Sequence, residues 1–211
     1  MGEHNPQQIG TASVLNISLV VDSPFAKEFY VLLQTGFTVK CLVGASIENL
    51  FYDQLKLNPQ LVEEKISTIF LSGKPVDDIA TATVQDGSIL ALSGAMPGLV
   101  GATLRRKSPL ASFRQSISAQ QNSRNFKKTE GYIQIKLFNI LLKELGLFFL
   151  EMGIYVPRVM FTSFVAQLTD DFYNRCRQIL INGKSIQLQS TAEWSSLLAN
   201  HDFVYLKVQV E

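Results

Sequence analysis

The sequence predicts an α+β protein made of two tandem domains, each a mixed sheet carrying one main helix. Three observations lead there: an internal repeat, alternating strands bounded by turn residues, and apolar helical segments that stop at glycine. In the repeat, "STIFLSGKPV" (67–76) aligns without gaps on "RQILINGKSI" (177–186). Ile69 matches Ile179, Gly73-Lys74 matches Gly183-Lys184, and Val76 matches Ile186. Each copy reads as a strand, a tight Gly-Lys turn and a short return strand, because glycine supplies the positive φ such a turn needs.

The elements follow in the same order in both halves. "VLNISLVVD" (14–22) and "YIQIKLFN" (132–139) alternate as half-buried strands do. Each runs into an apolar segment with an embedded Lys-Glu, "FAKEFYVLLQTG" and "ILLKELGLFFLEMG", closed by Gly36 and Gly153 as helix stops. Second strands follow, "FTVKCLV" and "IYVPRV". The main helix of each half places Ile47, Leu50, Phe51 and Leu55, or Phe161, Phe164, Val165 and Leu168, on one face. Ser46 is the expected N-cap of the first, and Asn58-Pro59 its stop. "SILALS" (88–93) and "FVYLKVQV" (203–210) read as the closing strands. The expected organisation is a flexible N-terminus at 1–13, one domain at 14–98, a basic linker at 99–130 and a second domain at 131–211.

With these residues, the order resembles the ubiquitin-like β-grasp superfamily. "TVKCLVGASIENLFYDQLKL", "STIFLSGKPVDD" and "VQDGSILALSGAMPG" are similar to ubiquitin's second strand, helix, Gly-Lys turn and final strand. "IQIKLFNILLKELG" is similar to the opening of the molybdopterin-synthase small subunit and the thiamine-pathway sulfur carrier. The resemblance implies a β-grasp fold in tandem. In those carriers a terminal glycine carboxylate is adenylated, then converted to a thiocarboxylate or an isopeptide. Here the second half ends "YLKVQVE", and Gly94, Gly98 and Gly101 are all internal. Carrier chemistry would therefore require cleavage, with Gly94 or Gly98 as the processed terminus. Pro97-Gly98 also suits the centre of a type II turn, which explains that pair as a joint.

Composition narrows the remaining classes. The 211 residues are 46 % hydrophobic, enough for one large core or two small ones, and 19 basic residues balance 18 acidic ones. Net charge therefore argues neither for nor against nucleic acid. Charge position is more telling: residues 101–130 hold Arg105, Arg106, Lys107, Arg114, Arg124, Lys127 and Lys128 against Glu130 alone. Phe113 and Phe126 among them could stack on bases or enter a lipid interface. The alternative is a solvated connector whose Leu104, Leu110, Phe113 and Ile117 dock on a domain. Arg105, Arg106, Lys107 and Arg114 are the candidate anion-binding residues.

Other groups read as structural. Cys41 and Cys176 are too few for a disulfide framework or a four-thiolate site, and both lie among apolar neighbours. Lys74 and Lys184 are expected as solvated hairpin residues. The carboxylates of "VDD" (76–78), "DG" (86–87) and "TDD" (169–171) stand where Asp caps turns and helices. His4 and His201 have no Cys or acid cluster at ligand spacing, and no Walker loop, GxGxxG, GxSxG or HExxH occurs. No cofactor or metal is expected.

The start "MGEHNPQQIGTAS" lacks signal-peptide layout, and Pro6 stands where a myristoylation pattern wants Ser or Thr. Charges interrupt the most apolar region well short of a membrane span. The expectation is a cytoplasmic, non-enzymatic interaction protein with a protein partner. The alternatives are a processed sulfur or conjugation carrier and a nucleic-acid or anionic-surface binder.

Overall fold

A computed structural model describes residues 6–109, 127–168, 171–188 and 190–211. Along the chain, a 3-10 turn at Pro6–Gly10 leads into β1 (Val14–Val21). Asp22 then caps a helical run of α1 (Ser23–Ala26), a 3-10 turn (Lys27–Phe29) and α2 (Tyr30–Thr35). Gly36 ends that run at φ 126°, and β2 (Phe37–Val43) follows. Ser46 caps α3 (Ile47–Asn49) as expected, its Oγ accepting from Asn49 N at 3.1 Å; the run then widens into a π-helical turn, Leu50–Gln54.

Asn58-Pro59 does more than stop that helix. The Asn58 side chain accepts from Gln60 N, and Pro59 opens a separate helix, α4 (Pro59–Lys65). Proline suits a first helical turn because the N–H it lacks would have no intrahelical partner there. Next come β3 (Thr68–Leu71), β4 (Lys74–Pro75), β5 (Ile89–Ser93) and α5 (Gly98–Leu104). The second half comprises β6 (Thr129–Phe138), α6 (Ile140–Met152), β7 (Ile154–Pro157), α7 (Arg158–Val165) and α8 (Asp171–Arg175). It closes with β8 (Cys176–Ile181), β9 (Lys184–Ile186), α9 (Thr191–Leu198) and β10 (Phe203–Val210). The chain is thus a mixed α/β protein. Among the described residues, no helix is long and apolar enough to cross a membrane.

The two repeat hairpins form, with their turns one residue earlier than the Gly-Lys pair. Ser72 and Gly73 have φ of 47° and 81°, Asn182 and Gly183 49° and 79°. Two successive positive φ values match the right-handed twist of the flanking strands. Lys74 and Lys184 are then the first residues of β4 and β9.

Contacts divide the chain into two compact units, Met1–Thr38 with Glu144–Glu211, and Val39–Lys143. This differs from the sequential division at 14–98 and 131–211, and strand pairing is the reason. In the first unit the order is β7-β10-β1-β8-β9. There β1 lies parallel to β10, from Val14 opposite Phe203 to Val21 opposite Val210, and antiparallel to β8. In the second unit the order is β4-β3-β5-β6-β2, with β5 parallel to β6 from Ile89 opposite Gln134 to Ser93 opposite Phe138.

Each unit has its own core. The first buries Phe25, Phe29, Phe37, Phe149, Phe161, Phe164, Phe172 and Trp194. Phe29 and Phe164 lie 4.9 Å apart, as do Phe37 and Phe149, tilted as aromatic pairs prefer. At its margin Asp22, the α1 cap, takes a two-pronged bond from Arg175 at 2.8 Å per prong, while that guanidinium lies 5.2 Å from the Phe25 ring centre. The Arg175 bond holds the Asp22 carboxyl below its ordinary value of 3.8. The second core is aliphatic, built on Val39, Ile47, Leu50, Val62, Ile69, Leu90, Leu92, Ile133 and Ile135 with Phe51.

Candidate functional site

The residues that carry the sequence's chemical promise lie on the joint that leaves β5. Gly94 is closely packed: a Cβ built there would lie 2.5 Å from the Ile140 Cγ2 methyl. Beside it, Asn139 Nδ2 donates to Ser93 Oγ at 3.0 Å. Pro97, at φ −73° and ψ 162°, is followed by Gly98 at φ 78°, the left-handed second residue that a type II turn calls for. That turn launches α5. Gly101, one turn into the helix, passes so close to the chain that a Cβ would lie 2.1 Å from the Met96 carbonyl oxygen. Leu99 and Val100 project outward, 74 % and 71 % exposed, and Leu104 is half-buried.

The basic residues that follow are anchored to α4. Arg106 is 7 % exposed, and its backbone N–H donates to Ser67 O at 2.8 Å. Its guanidinium donates to Val62 O at 3.3 Å and lies 3.8 Å from Glu63 Oε1. Val62 sits in the last turn of α4, where carbonyls lack intrahelical partners and a cation is favoured. Lys107, at φ 56°, turns its Nζ onto Glu63 Oε2 at 2.7 Å. Tyr52 donates to Glu63 Oε1 at 3.4 Å. The Lys107 bond, first among several causes, holds the Glu63 carboxyl below its ordinary value of 4.5, while burial pushes the Tyr52 hydroxyl up.

Chemically, Arg106 and Lys107 act as clamps on Glu63 and on the end of α4, so an incoming phosphate would compete with a carboxylate already in place. Arg105 is exposed and also engaged. Arg114, with Leu110, Phe113, Ile117, Arg124 and Phe126, lies outside the described residues. Sequence reasoning missed Glu63 as the receptor for the cluster. The two are more than forty residues apart, and the available signal was the Asn58-Pro59 cap that announces α4.

The remaining candidates are built into the scaffold. Burial raises the Cys41 thiol to about 12 and the Cys176 thiol to about 11, so neither is an activated nucleophile near neutral pH. Asp78 caps its own turn, accepting from Ala80 N at 2.9 Å and from Thr81 Oγ1 at 3.2 Å. Asp86 accepts from Tyr132 N at 2.8 Å. His201 Nδ1 shares a 2.9 Å hydrogen bond with Ser13 Oγ. His4, Thr169 and Asp170 lie outside the described residues. Among those described, no group of three or more His, Cys, Asp or Glu is placed to hold a metal ion. Comparison with family models, curated proteins and solved structures returns no significant match.

Proposed function

We propose that this chain is a non-enzymatic protein-interaction module built from two ubiquitin-like β-grasp units, acting in the cytoplasm on a protein partner. The observation that carries this reading is the fate of the joint. Gly98 opens a helix, Arg106 is buried, and Lys107 is spent on Glu63. Gly98 and Arg106 are thus engaged in the packing of the joint and Lys107 in a surface ion pair, which favours side-chain surface as the means of recognition. The β-grasp reading draws support from the mixed sheet of each unit, with its central parallel pair and its Gly-turn hairpin.

The test is the size and integrity of the chain in native extract. The module reading expects the full 23.5 kDa chain, eluting in a larger complex that purified partner and purified chain rebuild together. A fragment ending at Gly98 would overturn it in favour of a processed carrier. Full-length chain eluting alone in every extract would overturn the need for a partner.

A further inference from the structure

We propose that Ser108 is a phosphoacceptor for a proline-directed protein kinase, and that the phosphate placed on it loosens the joint's grip on α4. The joint ends in "RRKSP" (105–109), which offers a kinase two signals, cations before the serine and a proline after it. The fold withholds the first. Arg106 is 7 % exposed, with its guanidinium on Val62 O and beside Glu63, so reading it would require lifting the joint. The second is presented at the surface, where Pro109 is exposed and Ser108 half-buried.

The sequence contains one other Ser-Pro pair, Ser23-Pro24, and the two differ in what holds them. Ser23 opens α1, and Asp22 before it caps that helix and takes both prongs of Arg175. A kinase takes its serine in an extended segment, so Ser23 would be reached only by undoing α1 and the clamp. Ser108 follows the turn that Lys107 makes at φ 56° and lies in no helix or strand. Pro109 disfavours the helical region for it. The Ser108 N–H donates to Arg105 O over a long 3.3 Å.

In the transfer, Ser108 Oγ bonds to the γ-phosphorus of ATP as the bond from that phosphorus to the β–γ bridging oxygen breaks. ADP leaves, and the hydroxyl proton passes to a carboxylate of the kinase. The phosphoserine carries a charge of about −1.5 to −2. Its neighbour Lys107 has its Nζ 2.7 Å from Glu63 Oε2, in an ion pair whose partners are 71 % and 44 % exposed. A stronger anion one residue away takes Lys107 from that carboxylate. The same charge opposes Glu63 and the carbonyl end of α4, with Lys65 in that turn offsetting part of the repulsion. Arg106 then holds the joint without Lys107.

The experiment treats the full chain with ATP and a purified proline-directed kinase or, separately, a purified kinase that reads basic residues, and locates phosphate by mass spectrometry. The proline-directed enzyme is expected to modify Ser108 and leave Ser23 untouched, and Pro109→Ala to abolish the transfer. Hydrogen exchange at the Arg106 amide, which donates to Ser67 O, is expected to quicken about fivefold in the phosphorylated chain. In Glu63→Gln, where Lys107 has already lost its carboxylate, phosphorylation is expected to change that exchange by less than about twofold. No phosphate on Ser108, equal phosphate on Ser23, or transfer by the basic-reading kinase alone overturns the acceptor assignment. Arg106 exchange that phosphate leaves unchanged or slows, or quickens as much in Glu63→Gln, overturns the loosening.

Discussion

Arg106 offers the sharpest perturbation, because replacing it separates charge from packing in the anchoring of the joint. Arg106→Ala removes two buried methylenes, worth about 0.8 kcal/mol each. It also removes one long hydrogen bond to Val62 O, worth about 1.5 kcal/mol for a charged donor. Against that loss, the buried Arg106 Nε has no partner among the described residues. Relieving it returns an amount of similar size, at about 1–3 kcal/mol. Bond and orphan offset, so the net loss is the methylene part, about 1.6 kcal/mol, or about 15-fold in a local opening equilibrium. The assay is native-state hydrogen exchange at the Arg106 amide, which donates to Ser67 O and is exposed when the joint lifts. Arg106→Met, which keeps the apolar stem, is expected to stay within about 3-fold of the natural chain, as exchanging a buried ion for a hydrophobe often does. If Met loosens the joint as much as Ala, charge rather than packing is the anchor and the reasoning fails.

Four further outcomes follow from the same geometry. Glu63 has a depressed folded pKa, so its contribution is fully present above the ordinary 4.5 and fades as pH falls through the lower folded value. Protection at residues 105–108, measured against intrinsic exchange at the same pH, should therefore fall below about pH 4.5, by about 0.5 kcal/mol of opening free energy, since Lys107 and Glu63 are 71 % and 44 % exposed. Gly98→Ala meets open space but a left-handed φ, and should cost about 1 kcal/mol in denaturant unfolding. Gly101→Ala, which strikes a backbone carbonyl, should cost at least twice as much; the reverse order would contradict the path of the joint. A thiol reagent at pH 8 should leave Cys41 unmodified until the chain unfolds, given its raised pKa and burial. Finally, replacing Arg105 and Lys107 with Ala should leave heparin retention nearly unchanged; a large loss would favour the anionic-surface reading.

Much of the local structure was legible because it depends on neighbours in sequence. Ser46 caps α3 through a contact three residues away, and Gly36 and Gly153 end their helices at positive φ. The candidate site was only partly legible. The joint was visible as Pro97-Gly98 followed by cations, and the docked connector was one of two readings of it. Which cation is buried could not be read, because Arg105, Arg106 and Lys107 look alike until α4 presents its last carbonyls and Glu63 to two of them. The Asp22–Arg175 clamp was invisible for the same reason, since its partners lie 153 residues apart.

By itself, then, the sequence determined the elements and their faces: period-two strands, glycine-stopped helices and two matching hairpins. Tertiary structure decided the partners. Alternation states which side of a strand is buried but carries no label for the strand beside it. The pairing of β1 with β8 and β10, and of β6 with β5, selected units that interleave along the chain. Such contacts are set by which apolar faces can close a core together, a property of the assembled sheet and not of any single stretch within it.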